Sequence, residues 1–143
     1  MGNSNLMSTT ITFLGAAQNV TGSSYLLNHN GRKILVDCGL YQERDFQHRN
    51  WDPFPEPASN IDAVLLTHAH LDHCGLIPKL VKEGFQGSIH CTPATAEIAT
   101  IVMLDSARIQ EEDIKYKMKR HKKEGRTSPF PYEPMYSYEE AER

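Results

Sequence analysis

The sequence has few of the features that mark membrane and secreted proteins. Its 143 residues include only three cysteines, Cys38, Cys74 and Cys91, at wide spacings and without a C-x-x-C pair, which argues against a disulfide scaffold or a cysteine zinc knuckle. No apolar run approaches the ~18 residues of a membrane span. The N-terminus has neither the basic nor the apolar region of a secretory signal. We therefore expect a cytoplasmic protein without a membrane partner.

An overall excess of positive charge is also absent. The formal net charge is −3, so no overall field attracts nucleic acid, and any such binding needs a local basic patch. One patch is present, because Lys115–Arg126 contains seven Lys or Arg residues. These cations can contact RNA phosphates, or they can form a solvated helix end where cations favour the macrodipole. From the sequence, the solvated helix end is the favoured interpretation.

Turn signals and periodicity predict a mixed α/β fold. Asn30-Gly31 lies between two apolar runs and predicts a β-hairpin, and Thr92-Pro93 predicts the start of a long helix. The predicted elements are an opening strand that stops at Gly15, hairpin strands over 25–27 and 33–36, a loop over 40–60, a strand over 61–67, a helix ending at Gly84, a strand within 87–92, a helix over 93–124 and a helix start at Ser137. This order predicts a mixed sheet with helices packed on one face.

Four potential metal ligands are concentrated in "LLTHAHLDHCG", directly after the strand predicted over 61–67. His68 and His70 are two positions apart, so in extended chain they point the same way and can share one metal ion. Asp72 and His73 follow one turn later and can serve a second ion. Imidazole nitrogen and carboxylate oxygen are zinc ligands. Scattered surface histidines are the alternative, but this order of residues, between a strand and a glycine, favours a metal site.

The same stretch resembles the metal-binding motif of the metallo-β-lactamase superfamily. The segments "FLGAAQNVTGSSYLL", "ILVDCGLYQ" and "DSARIQEED" are similar to its RNA-processing branch, called β-CASP. That branch includes the nuclease subunit of cleavage-and-polyadenylation complexes and its bacterial and archaeal relatives. The resemblance implies an αββα sandwich, of which residues 10–143 would be the N-terminal part. Residues 1–9 are expected to be a disordered leader.

The resemblance also implies a role for each matching residue. His68 and His70 match the ligands of a first Zn²⁺, and Asp72 and His73 match those of a second. Asp72 would also contact the metal-bound water and act in proton transfer. Asp37 matches a residue that orients the ligands through hydrogen bonds, although a plain turn aspartate is the alternative for it. Asp72 and Asp37 are thus the candidate catalytic residues, and the implied reaction is two-zinc hydrolysis of RNA phosphodiesters.

The later part of the chain departs from the family's pattern. The family's third histidine of the first zinc, its bridging aspartate, its late histidine and the β-CASP insertion have no counterpart here. We therefore expect the N-terminal portion of a longer protein, with an apolar sheet face left for a second copy or for the missing remainder.

Three functions stay open at this point. The first is a zinc-dependent RNA-processing hydrolase. The second is a small-molecule metallo-hydrolase of the thioesterase type, against which the segments flanking the histidines argue. The third is a truncated module that binds metal or a partner without turnover, which the missing ligands favour.

Overall fold

The computed structural model describes residues 8–143, and within them the chain forms a mixed five-stranded sheet. The strands follow one another across the sheet in chain order: β1 (Thr9–Gly15), β2 (Ser24–His29), β3 (Arg32–Val36), β4 (Ala63–Leu65) and β5 (Ser88–His90). The first three pair antiparallel, and β4 and β5 add in parallel. Apart from Ser8 and Thr9, the predicted leader lies outside the described residues, and Thr9 already begins β1.

Helices connect and follow the parallel strands. They are α1 (Leu71–Cys74), α2 (Ile77–Lys82), α3 (Pro93–Glu124) and α4 (Tyr138–Glu142), with two 3-10 turns, Gln47–Asn50 and Ala58–Asn60, in the stretch predicted to be a loop. No helix within residues 8–143 has an apolar segment long enough to cross a bilayer.

Local signals in the sequence located the turns and caps correctly. Asn30 and Gly31 have φ of 51° and 81°, the left-handed pair that a tight hairpin requires. The Thr92 side chain accepts a hydrogen bond from the Thr95 amide at the start of α3. Ser137 and Glu140 form a reciprocal capping box at α4.

Two predicted elements are shorter than expected. The strand predicted over 61–67 pairs only over Ala63–Leu65, because β3 ends at Val36 and Asp37 turns away with φ of 59°. The helix predicted over 75–84 is α2, which runs only from Ile77 to Lys82, and a separate short helix, α1, precedes it. Pro78 lies in the first turn of α2, and its missing N–H favours the start of a new helix over the continuation of α1.

The core lies on one face of the sheet. Leu26, Leu35 and Val64 are register neighbours across β2, β3 and β4, and all three are buried. They belong to one apolar cluster with Leu80 of α2 and Tyr136 of the C-terminal segment. This arrangement confirms the predicted mixed α/β sheet with packed helices.

The opposite face of the sheet is apolar and uncovered at its edge. Phe13 pairs with Tyr25, and Ile11 pairs with Leu27. Ile11 and Phe13 are 57% and 65% exposed, although β-strand side chains of this size normally pack against a second layer. The uncovered apolar face expected from the sequence is present, and its occupant stays a prediction.

A buried tyrosine fixes the C-terminal segment against the centre of the fold. Tyr136 is fully buried, and its hydroxyl donates to the Gly75 carbonyl at 2.8 Å and lies 3.2 Å from Ser106 Oγ of α3. Burial raises the pKa of this phenol to about 12, so it remains a hydrogen-bond donor. These two contacts of the Tyr136 hydroxyl connect the segment before α4 and helix α3 to the turn that directly follows α1.

Candidate metal centre

Between β4 and α1, buried apolar side chains are interspersed with histidine side chains that face outward. Leu66 and Ala69 are buried in the core, while His68 is half-buried and His70 is exposed. The Leu66 amide donates to the His90 carbonyl of β5, which keeps this segment extended beyond the last paired residue of β4. The small side chain of Ala69 therefore anchors the segment while its two neighbours remain available to a ligand.

The first turn of α1 carries the other two candidate ligands. His70 is the N-cap, and its carbonyl accepts from the amides of His73 and Cys74 at 2.9 Å. Asp72 and His73 are consequently held on the turn that follows the two histidines. Cys74 points into the core, where burial raises the pKa of its thiol to about 11. This cysteine is therefore a packing residue.

The four side chains lie together. The His68 ring centroid is 4.6 Å from that of His70 and 4.0 Å from that of His73, and His73 Nε2 is 3.5 Å from an Asp72 carboxylate oxygen. Among residues 8–143, however, no group of three or more His, Cys, Asp or Glu side chains is arranged around a single ion position. The donor types suit zinc, but the number converging on one point is below the roughly three protein ligands of a catalytic zinc.

A buried carboxylate organises this cluster. Asp37 is 2% exposed and lies directly after β3. Its Oδ1 accepts from the Thr67 amide, and its Oδ2 accepts from the Thr67 hydroxyl and from His73 Nδ1, all at 2.8 Å. Three donors thus compensate a carboxylate that would otherwise be costly to bury.

The same hydrogen bonds set the tautomers of two histidines. Because an ionised Asp37 can only accept, His73 donates its Nδ1 proton to it, and the lone pair of the neutral ring is then on Nε2. The Thr67 hydroxyl donates its proton to Asp37, so the Thr67 oxygen accepts from His68 Nδ1 at 3.0 Å. In the neutral imidazole, a ring that donates through Nδ1 has its lone pair on Nε2, which is the nitrogen that a metal would then bind.

The comparison with known families agrees with this geometry. Residues 18–134 match the sequence profile of the metallo-β-lactamase superfamily. The chain belongs to the metallo-β-lactamase superfamily. The fold class and the resemblance predicted from the sequence are confirmed, and members of this superfamily generally bind metal ions.

Similar proteins include a ribonuclease, a transcription termination factor and a subunit of the Integrator complex. The chain is 47% identical over 98 residues to a ribonuclease of Thermus thermophilus, covering 68% of this chain and 22% of the ribonuclease. It is 42% identical over 100 residues to the transcription termination factor FttA of Methanosarcina mazei, covering 66% of this chain and 15% of that factor. It is 33% identical over 106 residues to Integrator complex subunit 11 of Danio rerio, covering 69% of this chain and 18% of that subunit. The chain thus spans between 15% and 22% of the length of these relatives, which are consistent with the β-CASP branch.

Two contacts that support this superfamily site were not anticipated from the sequence. The Asp72 carbonyl accepts from the Ser23 amide at 2.9 Å, and the His73 carbonyl accepts from the Cys38 amide at 2.8 Å. Gly39 lies so close that a Cβ on it would be 1.7 Å from the Asp72 carbonyl oxygen. The only sequence signal was a glycine in "DCG", which by itself does not indicate what approaches it.

Glu43 is a second residue that sequence reasoning missed. Its carboxylate accepts from the amides of Val20 and Thr21, at 2.6 and 3.0 Å, and from the Thr21 hydroxyl. Within the same loop, Ala16 and Gln18 have positive φ values of 48° and 63°. The hydrogen bond from Thr21 is the main reason why the pKa of Glu43 falls to about 2. The carboxylate thus fixes a strained loop whose last residues lead to Ser23 and the Asp72 carbonyl.

Substitution Glu43→Gln is expected to remove a pH-dependent part of the stability. The pKa of Glu43 falls from 4.5 to about 2 on folding, so its contribution is complete above pH 4.5 and is lost as the pH falls towards 2. The melting temperature of the parent should exceed that of the variant above pH 5, and the difference should shrink at lower pH. Thermal unfolding of both proteins across this range measures it. A difference that stays constant would contradict the assigned role.

Proposed function

We propose that this superfamily domain supplies His68, His70, Asp72 and His73 to a two-zinc site that hydrolyses RNA phosphodiester bonds. The supporting observation is the hydrogen-bond chain from Asp37, which engages Nδ1 of His68 and His73 and leaves Nε2 of each ring as the nitrogen for a metal. RNA is the proposed substrate because one relative is a ribonuclease. When bound, two zinc ions would supply hydroxide at neutral pH and stabilise the charge that develops on the phosphate.

The side chains of this chain would have distinct roles. The three imidazoles would bind through nitrogen, and the half-buried Asp72 carboxylate would both ligate and accept a proton. Asp37 would remain behind the ligands as a positioning residue, because its three hydrogen bonds occupy it within the protein. The free cysteines of the protein suit a reducing cytoplasm, which we propose as its location.

The remaining ligands would come from outside the described cluster. A catalytic zinc usually has about three protein ligands, and His68, His70, Asp72 and His73 provide about two for each ion. We propose that a further segment of the protein or a second copy completes the site and covers the apolar face around Ile11 and Phe13.

A second candidate function is a metal-binding module without turnover. It is favoured by one observation, that no three donors among the described residues surround a single ion position. In that case the chain would bind zinc weakly through pairs of ligands and would pass it to, or share it with, a partner.

Cleavage of labelled RNA by the zinc-loaded protein, with the segment or second copy that completes the site present, distinguishes these functions. We expect His70→Ala to lower cleavage by at least about 100-fold, since even residues that only orient metal ligands contribute 10–100-fold. His48→Ala, at an exposed histidine of the 3-10 turn Gln47–Asn50, is the control and should leave cleavage unchanged. Zinc binding without cleavage would support the non-catalytic module, and equal cleavage by all three proteins would contradict the proposed site.

A further inference from the structure

The positive charge of this protein is concentrated at one end of α3. Lys115–Arg126 contains seven cations and one acid, Glu124, for a net charge of +6, whereas the whole chain carries −3. The rest of the chain is therefore at −9. Within residues 8–143, the only ion pair formed by these seven cations is Arg126 with Glu124 at 3.2 Å. The field of this helix end is thus not neutralised by the protein itself.

Three of the cations line one cleft together with aromatic side chains. Lys119 and Lys122 are on adjacent turns of one helix face, and Arg126 follows Gly125, where the helix ends. These three line a cleft of about 460 Å³, whose other walls include His121 and Tyr132. The cleft therefore combines point charges with aromatic rings.

Tyr132 is held in position at the cleft. Its hydroxyl is 2.6 Å from His121 Nδ1, the two rings meet edge-on with centroids 5.8 Å apart, and the tyrosine is 39% exposed. Met118 is 50% exposed and lines the same cleft. Of the three cleft cations, Lys119 and Lys122 form no ion pair within residues 8–143, and an ordered, exposed ring beside them is more than a solvated helix end needs.

We propose that this cleft binds single-stranded RNA, with Lys119, Lys122 and Arg126 on phosphates and Tyr132 stacked on a base. Positively charged grooves that contain aromatic platforms are the general form of single-strand binding sites. The proposal rests on the proposed function for its choice of RNA, but it concerns a different surface. It replaces the solvated helix end that the sequence alone favoured.

The location of the cleft suits an accessory site. Ser106 of α3 contacts Tyr136, whose hydroxyl bonds the Gly75 carbonyl next to α1. Lys119 is thirteen residues further along the helix, about 20 Å at 1.5 Å per residue. A strand held at the cleft could therefore extend towards the histidine cluster without overlapping it.

Fluorescence anisotropy with a labelled oligouridine tests this surface. We compare the parent with the triple variant K119Q/K122Q/R126Q and with K117Q/R120Q/K123Q, a variant with the same charge change whose positions do not line the cleft. Glutamine is a good helix former, and circular dichroism checks that α3 is retained. For the cleft variant we expect about a tenfold loss of affinity and a salt slope that is smaller by about 2, since each phosphate contact contributes ~0.7. The control should lose less than about threefold.

Further outcomes decide between this surface and the proposed metal site. Tyr132→Leu should weaken binding about tenfold through lost stacking, while metal-free His70→Ala should bind the RNA as tightly as the parent. Equal losses in the two triple variants, or no RNA binding by the parent, would overturn the proposal for α3. RNA cleavage that is lost in His70→Ala while the cleft variant binds normally would overturn it too, and would leave the proposed metal site intact.

Discussion

Substitution Gly39→Ala is expected to destabilise the protein by about 3 kcal/mol or more, because the added Cβ overlaps backbone rather than a movable side chain. The Cβ would lie 1.7 Å from the Asp72 carbonyl oxygen, 2.3 Å from its carbon and 2.9 Å from the His73 nitrogen. Moving those atoms away would break the hydrogen bonds from the amides of Ser23 and Cys38. Urea unfolding followed by circular dichroism measures the loss.

Gly31→Ala is the matched control for this substitution. Gly31 has φ of +81°, and a Cβ added to it would meet no heavy atom within 4 Å, so only backbone strain of ~1 kcal/mol is expected. If the two variants lost the same free energy of unfolding, that result would contradict the close packing of Gly39 against the backbone of α1.

Substitution Asp37→Asn is expected to lower zinc affinity by about 10–100-fold, the range found when groups that orient metal ligands are removed. Asparagine tolerates the positive φ of 59° at this position, so the backbone should be retained. Its oxygen can still accept from the Thr67 amide, but its NH₂ group would then face His73 Nδ1 and make that nitrogen an acceptor. The proton of His73 would move to Nε2, the nitrogen that a metal needs.

Competitive zinc titration measures this loss, and two variants serve as comparisons. Asp37→Ala should lose similar zinc affinity and more stability, since it leaves the Thr67 and His73 donors unpaired. Asp45→Asn, at an exposed carboxylate in the loop after β3, should bind zinc like the parent. Unchanged affinity in Asp37→Asn would show that Asp37 is the plain turn aspartate that the sequence left as an alternative.

The sequence predicted those parts of the fold and site that depend on neighbouring residues. The hairpin at Asn30-Gly31, the Thr92 cap and the Ser137 capping box involve groups within a few positions of one another. The grouping of His68, His70, Asp72 and His73 was predictable for the same reason, since one short bend brings them together.

Contacts between distant segments were not predictable from the sequence. The link between Glu43 and Thr21 spans 22 residues, and nothing in either local pattern indicates the other. The approach of Gly39 to Asp72 likewise depends on how β3 and α1 meet. The apolar residues Ile109 and Met118 of α3 are 51% and 50% exposed, because whether a helical side chain is buried depends on which face of the helix meets the core.

The central claim is that Asp37 sets the protonated nitrogen of His68 and His73 before any metal binds. Nitrogen-15 NMR of the metal-free chain at mildly alkaline pH reports directly which ring nitrogen carries the proton. We expect Nδ1–H for both rings, and a change to Nε2–H at His73 in Asp37→Asn. Nε2–H at both histidines of the parent chain would contradict the claim.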